Sequence, residues 1–535
     1  MHHPYAPRLP ILIGLIALAA SISGCRQLDR DPQVLAALDR ITAGESVLTV
    51  RDDASKDVWN DVRTFYESRE GAPAWVTDED TSAAGKALDV LRTAPAHGFA
   101  PADYGEPDLA RRIDALAQAK NDAPDRAQRI AELDARVTTA LLAFGRDVAI
   151  GRTTPASVDS KWKARRAVPD LAGTLAQAGT DPKAWIDGVR PRHPEYAALE
   201  KALVNLRGQH EKGGWASVPS GKAMTALRQR LAAGGYLSAE AASHTSPAYS
   251  KDDEAAVRAF QDLHAIKSTG IVDAATLAAM NVPIDERIRQ VGLNLERWRW
   301  MPDDFGARHL MVNIPYFHLV ARENGTPIRD IRVVVGKPAN KTPVFSASMT
   351  TLVFSPYWNI PDSIVEGETA PAVARDPAYL AKNNIEILDV SKGGGSPVAA
   401  ASVNWDDAEQ LKHLAFRQRP GQGNALGHVK FLFPNEYDVY LHDTPADQLF
   451  ARPGRAFSHG CVRVEEPEAL AKYILGGYPE WDDESIFEAM HAGVEKHVKL
   501  REPIPVHIVY FTAWVDKNGG LHFQPDIYGY DARKG

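Results

Sequence analysis

Residues 429–442 of the chain read VKFLFPNEYDVYLH. The runs 429–433 and 437–442 are rich in branched and aromatic residues and predict two neighbouring strands. Because successive side chains of a strand point to opposite faces, Tyr440 and His442 are expected on one face, with His442 at the end of its strand. This strand pair is the starting point for interpreting the C-terminal half of the chain.

A second motif, Ser-His-Gly-Cys-Val-Arg, occupies residues 458–463, and its Cys461 lies 19 residues after His442. A neutral thiol is a poor nucleophile, so Cys461 requires either a lowered pKa or a neighbouring base that takes its proton. A strand end followed by a loop can bring His442 to the thiol as that base. Gly460 has no side chain, so a substrate carbonyl can approach the backbone N–H groups around Cys461, the usual material of an oxyanion hole.

Alternating apolar residues predict further strands in the same half of the chain. The predicted strands contain Leu310, Val312 and Ile314, then residues 331–335, then Val506, Ile508 and Tyr510, and the last leads to a hairpin turn at Asn518-Gly519-Gly520. Residues 362–426 are rich in glycine and alanine, weakly periodic, and too long for a simple connection. We expect this insertion to be a flexible cap or lid.

The N-terminal half of the chain has a helical pattern. Apolar residues recur every three or four positions between Trp59 and Leu206, and clusters of glycine and proline divide this region into several helices. A second helical unit follows from Ser220 to Pro283, with Asp273 as the expected N-cap of its last short helix. We expect no chemistry in the first region, and the second carries no motif that names its ligand contacts.

Length and composition limit the class of protein. A chain of 535 residues corresponds to about three domains, and its 44% apolar and 24% charged residues are those of a globular protein with several cores. The net charge of −8 gives no electrostatic reason to expect a nucleic-acid partner. Two cysteines, Cys25 and Cys461, exclude a disulfide scaffold and a Cys-rich zinc protein. No His-Glu-x-x-His motif occurs, and the glycine-rich residues 421–427 follow no strand, so we expect no metal and no cofactor.

The N-terminus carries an export signal. Residues 9–22 form an uncharged run that is too short to span a membrane as a helix, which takes about 20 residues. The run ends in Ile22-Ser23-Gly24-Cys25, which resembles the lipobox of bacterial lipoproteins. The resemblance implies that Cys25 is lipidated and anchors the protein to a membrane. Because Arg26 rather than Asp follows it, the expected location is the periplasm, at the outer membrane. The alternative is a plain signal peptide with an unrelated cysteine.

His442 and the Ser-His-Gly-Cys-Val-Arg motif together resemble the signature of the L,D-transpeptidases, bacterial cysteine enzymes that cross-link peptidoglycan. The resemblance extends over the stretches 354–361, 417–421 and 424–435, and residues 257–281 resemble the three-helix peptidoglycan-binding module of wall enzymes. It implies an α+β protein in which helical regions precede a mainly antiparallel β-sandwich catalytic domain. The expected boundaries are a signal peptide at 1–24, a tether at 25–55, a helical scaffold at 56–210, a peptidoglycan-binding-like domain at 215–285, a catalytic domain at 305–515 with the capping insertion at 362–426, and a C-terminal hairpin or tail at 516–535.

The resemblance also implies roles for individual residues. Cys461 matches the nucleophile, and His442 matches the family's proton donor and acceptor. The third partner in the family is often the backbone carbonyl just after that histidine, here the carbonyl of Asp443.

The other residues of the motif have weaker implied roles. His459 matches a positioning group, and Arg463 matches a residue that orients the donor substrate or supports the cysteine loop. For both residues a purely structural role is an open alternative. Tyr440 is a candidate for the oxyanion hole, together with the backbone around Gly460.

The resemblance implies a cysteine acyltransferase of cell-wall biogenesis and cell shape. Cys461 would form a thioester with a tetrapeptide stem, release the terminal D-amino acid, and transfer the acyl group to an amine of another stem in a 3-3 cross-link. Water as the acceptor would instead make the protein an L,D-carboxypeptidase or endopeptidase. A non-catalytic peptidoglycan-binding lipoprotein is the third alternative. The expected partners are peptidoglycan stem peptides and, through the lipid anchor, a membrane, while the acceptor amine stays open.

Overall fold

The computed structural model describes residues 31–44, 55–119, 123–163, 166–221, 223–391, 395–405 and 407–532. The expected signal peptide and Cys25 lie outside the described residues. The chain divides into two compact units. The first comprises the described residues up to 89 together with residues 105–143 and 172–183, and the second comprises residues 90–104, 144–171 and the described residues from 184 onward.

The N-terminal part of the chain is helical, as its periodicity predicts. The helices are α1 (Pro32–Ala43), α2 (Ser55–Glu67), α3 (Ser82–Leu91), α4 (Glu106–Gln118), α5 (Arg126–Ile150), α6 (Pro155–Val158), α7 (Leu171–Ala178), α8 (Pro182–Val189) and α9 (Pro194–Glu211), with short 3-10 turns at Ala94–His97 and Pro101–Tyr104. Within the first unit, the buried carboxylate of Asp134 accepts the backbone N–H groups of Ala74, Trp75 and Val76 and the hydroxyl of Tyr66. The Asp134 side chain, on α5, therefore accepts hydrogen bonds from the backbone of residues 74–76 and from Tyr66 on α2.

The structure differs from the expected tether at residues 25–55. Residues 32–43 form α1, whose Asp31 caps the first turn by accepting the backbone N–H of Gln33. Val34, Leu38 and Ile41 recur at helical spacing and are buried. A short helix with one apolar stripe is hard to distinguish from a polar linker in sequence, because only a few positions carry the signal.

The helical region predicted from Ser220 to Pro283 forms a small domain with its own core. Its helices are α10 (Met224–Ala233), α11 (Ala239–Ala242), α12 (Lys251–Leu263) and α13 (Ala274–Met280), and a longer helix, α14 (Ile284–Arg299), follows. Leu227, Leu231 and Phe260 belong to the core of this domain. The expected N-cap is confirmed, because the carboxylate of Asp273 accepts the backbone N–H of Thr276. No helix within the described residues is both long and apolar enough to cross a membrane.

The strands follow α14. They are β1 (Arg308–Asn313), β2 (His318–Glu323), β3 (Thr326–Gly336), β4 (Phe345–Phe354), β5 (Trp358–Ile360), β6 (Ile385–Asp389), β7 (Ser396–Val398), β8 (Leu414–Gln418), β9 (Val429–Leu432), β10 (Leu441–His442), β11 (Ala456–Ser458), β12 (Val462–Val464), β13 (Lys496–Val509), β14 (Ala513–Val515) and β15 (Leu521–Phe523). Short helices lie among them: α15 (Asp362–Ile364), α16 (Ala370–Arg375), α17 (Tyr379–Lys382), α18 (Ala408–Leu411), α19 (Pro467–Leu475) and α20 (Asp483–His491). Further single turns lie at Ile314–Tyr316, Val365–Thr369, Ala400–Ser402 and Asp447–Leu449.

The main sheet closes on itself. Its order is β11-β3-β12-β10-β9-β4-β13-β1-β2, and β2 also pairs with β3. Most neighbours are antiparallel, whereas β1 with β13, β10 with β12, and β11 with β3 are parallel. The expected α+β class is therefore confirmed, and the closed sheet shares one hydrophobic core with residues of α9, α14, α19 and α20.

The strand that carries His442 is shorter than the run 437–442 predicts, since only Leu441–His442 pairs as β10. The side-chain amide of Asn435 donates to the carbonyls of Phe433 and Val439, and its oxygen accepts the backbone N–H of Tyr437. Asp438 has a φ of 53°, in the left-handed region. These features make residues 435–439 a turn held by an asparagine side chain, a use of asparagine that alternation alone does not reveal.

The insertion at 362–426 is a folded subdomain. The strands β5, β8, β6 and β7 form a separate sheet in that order. Ile387, Phe416 and Val373 are among the buried residues of a hydrophobic core that belongs to this subdomain. The weak periodicity of its sequence reflects short strands and helices, each too brief to show a clear repeat. We refer to residues 358–418 as the cap.

Candidate active site

The two strands that carry the sequence motifs are direct neighbours. β10 and β12 are parallel, with Leu441 opposite Val462 and His442 opposite Arg463. Leu441 and Val462 are fully buried in the core of the sheet. Because side chains alternate, His442 and Arg463 project from the opposite face, together with the preceding residues of the same parity, Tyr440 and Cys461. The sheet register thus brings the predicted site residues to one surface.

Cys461 lies at the edge of this surface and is partly accessible. Its thiol is 3.7 Å from the carbonyl oxygen of Asp438 and hydrogen-bonds with Tyr440. Burial raises the pKa of the Cys461 thiol, while the contacts with Tyr440 and the positive charge of Arg463 act in the opposite direction. The net effect is a thiol that keeps its proton at rest.

His442 is buried and held in one orientation. Its Nδ1 is 2.5 Å from the carbonyl oxygen of Asp443, the group that the family resemblance implies as third partner. A carbonyl oxygen only accepts, so Nδ1 carries the hydrogen and Nε2 presents a lone pair. Burial, with the positive charges of Arg463 and Lys430, lowers the pKa of His442 to about 3. His442 is therefore a neutral base whose Nε2 has no hydrogen-bond partner among the described residues.

Tyr440 lies close to both the thiol and the imidazole. Its ring centroid is 5.6 Å from that of His442, and its hydroxyl hydrogen-bonds with Cys461. Burial, followed by the charge of Cys461, raises the pKa of Tyr440 well above its usual range. The hydroxyl stays protonated, so it can donate a hydrogen bond to a sulfur or an oxygen that gains negative charge.

The loop before Cys461 is held by hydrogen bonds to its backbone. Gly460 has a φ of 126°, which a side chain would strain. The hydroxyl of Ser458 donates to the carbonyl of Cys461 over 2.6 Å and accepts the N–H of Gly460. Ser458 therefore fixes the N–H of Gly460 and the carbonyl of Cys461, which flank the peptide bond between these two residues.

A buried threonine ties this loop to β3. The hydroxyl of Thr342 accepts the N–H of Gly336 over 2.9 Å and donates to the carbonyl of Gly460 over 2.7 Å. The phenol of Tyr528 accepts the N–H of Thr342 and donates to the carbonyl of Gly336. Sequence reasoning missed both residues, because a single threonine or tyrosine in a loop carries no pattern.

The two other charged residues of the motif face different surroundings. His459 is more exposed, and its Nε2 lies 2.8 Å from a carboxylate oxygen of Glu368 in the cap and 3.4 Å from Nζ of Lys337. Its side chain therefore contacts the cap, away from the thiol. Arg463 lies beside Cys461 and His442, and its buried Nε has no hydrogen-bond partner among the described residues.

Lys430 is a site residue that sequence reasoning did not single out. It lies opposite His442 in the antiparallel pair of β9 and β10, so both side chains share one face. Burial lowers the pKa of Lys430, and its Nζ lies 3.5 Å from the carbonyl oxygen of Tyr357. A lysine in an otherwise apolar strand was the available signal. Within the described residues, no group of three or more histidine, cysteine, aspartate or glutamate side chains is arranged to hold a metal ion.

Comparison with known families finds three matches along the chain. Residues 307–486 match the L,D-transpeptidase catalytic domain, residues 220–280 match a "putative peptidoglycan binding domain", and residues 60–203 match a scaffold domain. A relative from Haemophilus influenzae, named a "putative L,D-transpeptidase", is 35% identical over 245 residues, which is 45% of this chain and 48% of the relative. The chain thus spans about half the length of the curated relative that it matches.

Solved structures with a local likeness are also L,D-transpeptidases. One from Mycobacterium smegmatis is 14% identical, with a TM-score of 0.19, over 38% of this chain and 58% of its own. L,D-transpeptidase 3 from Mycobacterium tuberculosis is 12% identical, with a TM-score of 0.18, over 38% of this chain and 61% of its own.

The contacts of Thr342 lead to a testable prediction. Thr342→Val removes the hydroxyl and leaves the buried N–H of Gly336 and carbonyl of Gly460 unpaired. We expect the free energy of unfolding to fall by about 1–3 kcal/mol, measured by urea denaturation, and the alkylation rate of Cys461, followed by peptide mass spectrometry, to change because its loop shifts. Thr326→Val, at an exposed position on β3, is the matched control and should alter neither. A Thr342→Val protein with unchanged stability would contradict the assigned role.

Proposed function

We propose, on the premise that residues 307–486 carry an L,D-transpeptidase catalytic domain, that the protein cross-links peptidoglycan by acyl transfer through Cys461. The observation that supports this most directly is the register of β10 and β12, with a thiol and a neutral imidazole on one face and the imidazole's Nδ1 bonded to the carbonyl of Asp443. This is the arrangement of a nucleophile, a base, and a group that orients the base.

In the first step, Nε2 of His442 takes the thiol proton as Sγ of Cys461 attacks a carbonyl of a tetrapeptide stem. The carbonyl follows the L-centre of a diamino acid and precedes the terminal D-residue. The tetrahedral intermediate collapses, the C–N bond breaks, and the histidine returns its proton to the leaving amine. The products are a free D-amino acid and a thioester on Cys461.

In the second step, an amine of another stem attacks the thioester carbonyl. The amine loses its proton to His442, the C–S bond breaks, and the sulfur regains a proton. A new peptide bond forms without ATP, because the thioester retains the energy of the bond that was broken. In both steps, we assign stabilisation of the oxyanion to the backbone N–H of Cys461 and the protonated hydroxyl of Tyr440, since the N–H of Gly460 already donates to Ser458.

The protonation states of Cys461 and His442 before substrate binds determine how the thiol is activated. A thiol with a raised pKa and a histidine with a lowered pKa do not form a preexisting ion pair. Proton transfer therefore accompanies the attack, and the positive charge of Arg463 stabilises the sulfur as it becomes negative. Arg463 has no carboxylate partner among the described residues that would neutralise this effect.

Two alternative outcomes use the same substrate. Water as acceptor would give an L,D-carboxypeptidase or endopeptidase, and a protein without turnover would be a peptidoglycan-binding lipoprotein. Incubation with a disaccharide-tetrapeptide separates them, since dimers indicate transpeptidation, tripeptides indicate hydrolysis, and unchanged substrate indicates binding alone. The orientation of His442, fixed by the carbonyl of Asp443 on the face that also carries Cys461, favours turnover.

Substitutions in the site test the proposed roles. Cys461→Ser should abolish dimer formation, because a hydroxyl has a far higher pKa than a thiol and no stronger base than His442 is near. His442→Ala should lower the rate of acylation by about 10²–10⁴-fold, measured as release of the D-amino acid. His459→Ala, whose side chain contacts Glu368 and Lys337, is the comparison and should cost less. A ranking in which His459→Ala is the more damaging change would assign the base to His459.

We also propose that the cap excludes water from the thioester. Glu368 joins the cap to the Cys461 loop through His459. Glu368→Gln removes the negative charge of this contact, so the cap should close less tightly and the ratio of hydrolysed to cross-linked product should rise. Glu409→Gln, on the exposed helix α18 of the same cap, is the control and should leave the product ratio unchanged. An unchanged ratio in Glu368→Gln would contradict the role of the cap but not the chemistry.

We propose finally that Cys25 is lipidated and anchors the protein to the outer membrane, on its periplasmic side. Cys25→Ala should lose both the lipid mass and the membrane association, because the acyl chains supply the binding free energy. Fractionation and intact-protein mass spectrometry measure the two effects. Cys461→Ala should keep both, and wild-type protein found in the soluble export fraction would contradict the anchor.

A further inference from the structure

Two buried arginines with unusual surroundings lie in the peptidoglycan-binding-like domain and at the start of the helix that follows it. Arg230 on α10 is 3% exposed, and Arg287 at the start of α14 is 8% exposed. Neither side chain forms an ion pair with a carboxylate among the described residues. Arg228, two residues before Arg230, shows the ordinary alternative, since its guanidinium donates to both carboxylate oxygens of Asp253.

Each of the two guanidiniums has a buried N–H donor that makes no hydrogen bond with the described residues. Nε of Arg230 donates to the carbonyl of Met280 over 2.8 Å, but its buried Nη1 has no hydrogen-bond partner in the described part of the chain. Nη1 of Arg287 donates to the side chain of Gln290 over 2.9 Å, but its buried Nε has no partner among those residues either. A buried unpaired donor on a charged group is costly, and native proteins rarely keep one without a ligand or another compensation.

Aromatic rings surround both charges without neutralising them. Arg230 lies over the ring of Trp215 at 4.0 Å, and Arg287 lies over the ring of Phe523 at 4.2 Å. Phe260 and His264 stack at 3.8 Å, and Phe260 also lies 5.6 Å from the guanidinium of Arg230. Such contacts favour a cation but supply no acceptor for its N–H groups.

The two charges also act on each other. Burial lowers the pKa of Arg230 to about 10, and burial together with the charge of Arg230 lowers the pKa of Arg287 to about 10. Both stay protonated near neutral pH. The only group that raises either pKa by its charge is Tyr236, so no carboxylate in the described part of the chain offsets the repulsion.

Tyr236 and Gly234 complete the local geometry. The hydroxyl of Tyr236 makes no hydrogen bond within the described residues, and burial raises its pKa to about 12, so it remains a donor. A Cβ on Gly234 would lie 2.5 Å from the ring of Tyr236 and 3.2 Å from Nη1 of Arg230. A residue other than glycine would therefore crowd the unpaired donor.

We propose that Arg230, Arg287 and Tyr236 form an anion-binding site for a carboxylate group of a peptidoglycan stem peptide. Unpaired guanidinium donors and a protonated hydroxyl are the groups that bind a carboxylate in proteins. Stem peptides carry free carboxylates, and the choice of this source rests on the proposed function. Inorganic phosphate offers the same chemistry, so the experiments compare the two.

The first experiment measures thermal stability of the full chain with and without phosphate. Phosphate should raise the Tm of the wild type, and Arg287→Gln should lose this response while its Tm without anion does not fall, since a repulsive buried charge is removed. Arg228→Gln is the control and should lower the Tm with and without phosphate, because it removes the cationic partner of the buried Asp253 carboxylate. A Tm of Arg287→Gln that falls as far as that of Arg228→Gln would make Arg287 a structural residue and overturn the proposal.

The second experiment measures binding by calorimetry in the Cys461→Ala background, which prevents turnover. A disaccharide-tetrapeptide should bind at least about tenfold more weakly to Arg287→Gln and to Tyr236→Phe than to the parent. The same ligand with its carboxylates converted to carboxamides should bind the parent and the variants equally weakly. Arg258→Gln, which removes an exposed charge of the same domain, should bind like the parent.

The outcomes separate the two possible anions and the two proposals. Equal tetrapeptide affinity in the parent and the variants would overturn the proposal, and so would a phosphate response without carboxylate-dependent tetrapeptide binding. Because neither readout uses the thiol, a protein without transpeptidase turnover that still shows carboxylate-dependent binding would contradict the proposed function and support the site.

Discussion

The pairing of β10 with β12 is the contact on which the site depends. Only two residue pairs define it, yet they decide which side chains meet. Because the period of a strand is two, a shift of one residue would turn His442 and Arg463 into the core and bring Leu441 and Val462 to the surface. The full burial of Leu441 and Val462 makes that shift costly, so the hydrophobic core sets the geometry of the reacting groups.

Sequence patterns were sufficient for the class of fold and for the residues on these two strands. Alternation placed Tyr440 and His442 on one face, and the spacing of apolar residues located the helical domains. The patterns failed where a single side chain determines the backbone. Asn435 holds a turn that shortens the strand before His442, and Pro32–Ala43 forms a helix where a tether was expected.

The parts of the site that sequence did not reveal depend on distant contacts. Thr342 fixes the Cys461 loop from 118 residues away in the chain, and Glu368 meets His459 from the cap. Such partners have no fixed spacing from the motif, so periodicity cannot find them. The same limit applies to Arg230 and Arg287, whose missing carboxylate partners become visible only when every neighbour is known.

The protonated resting state of Cys461 has a consequence for chemical durability. Peroxides and disulfides react with the thiolate form of cysteine, and a thiol of raised pKa offers little of that form. The thiol is thus less open to oxidation at rest, and under the proposed function its proton passes to the imidazole only as it attacks a bound carbonyl. Selectivity for the substrate and resistance to oxidative damage then come from the same burial.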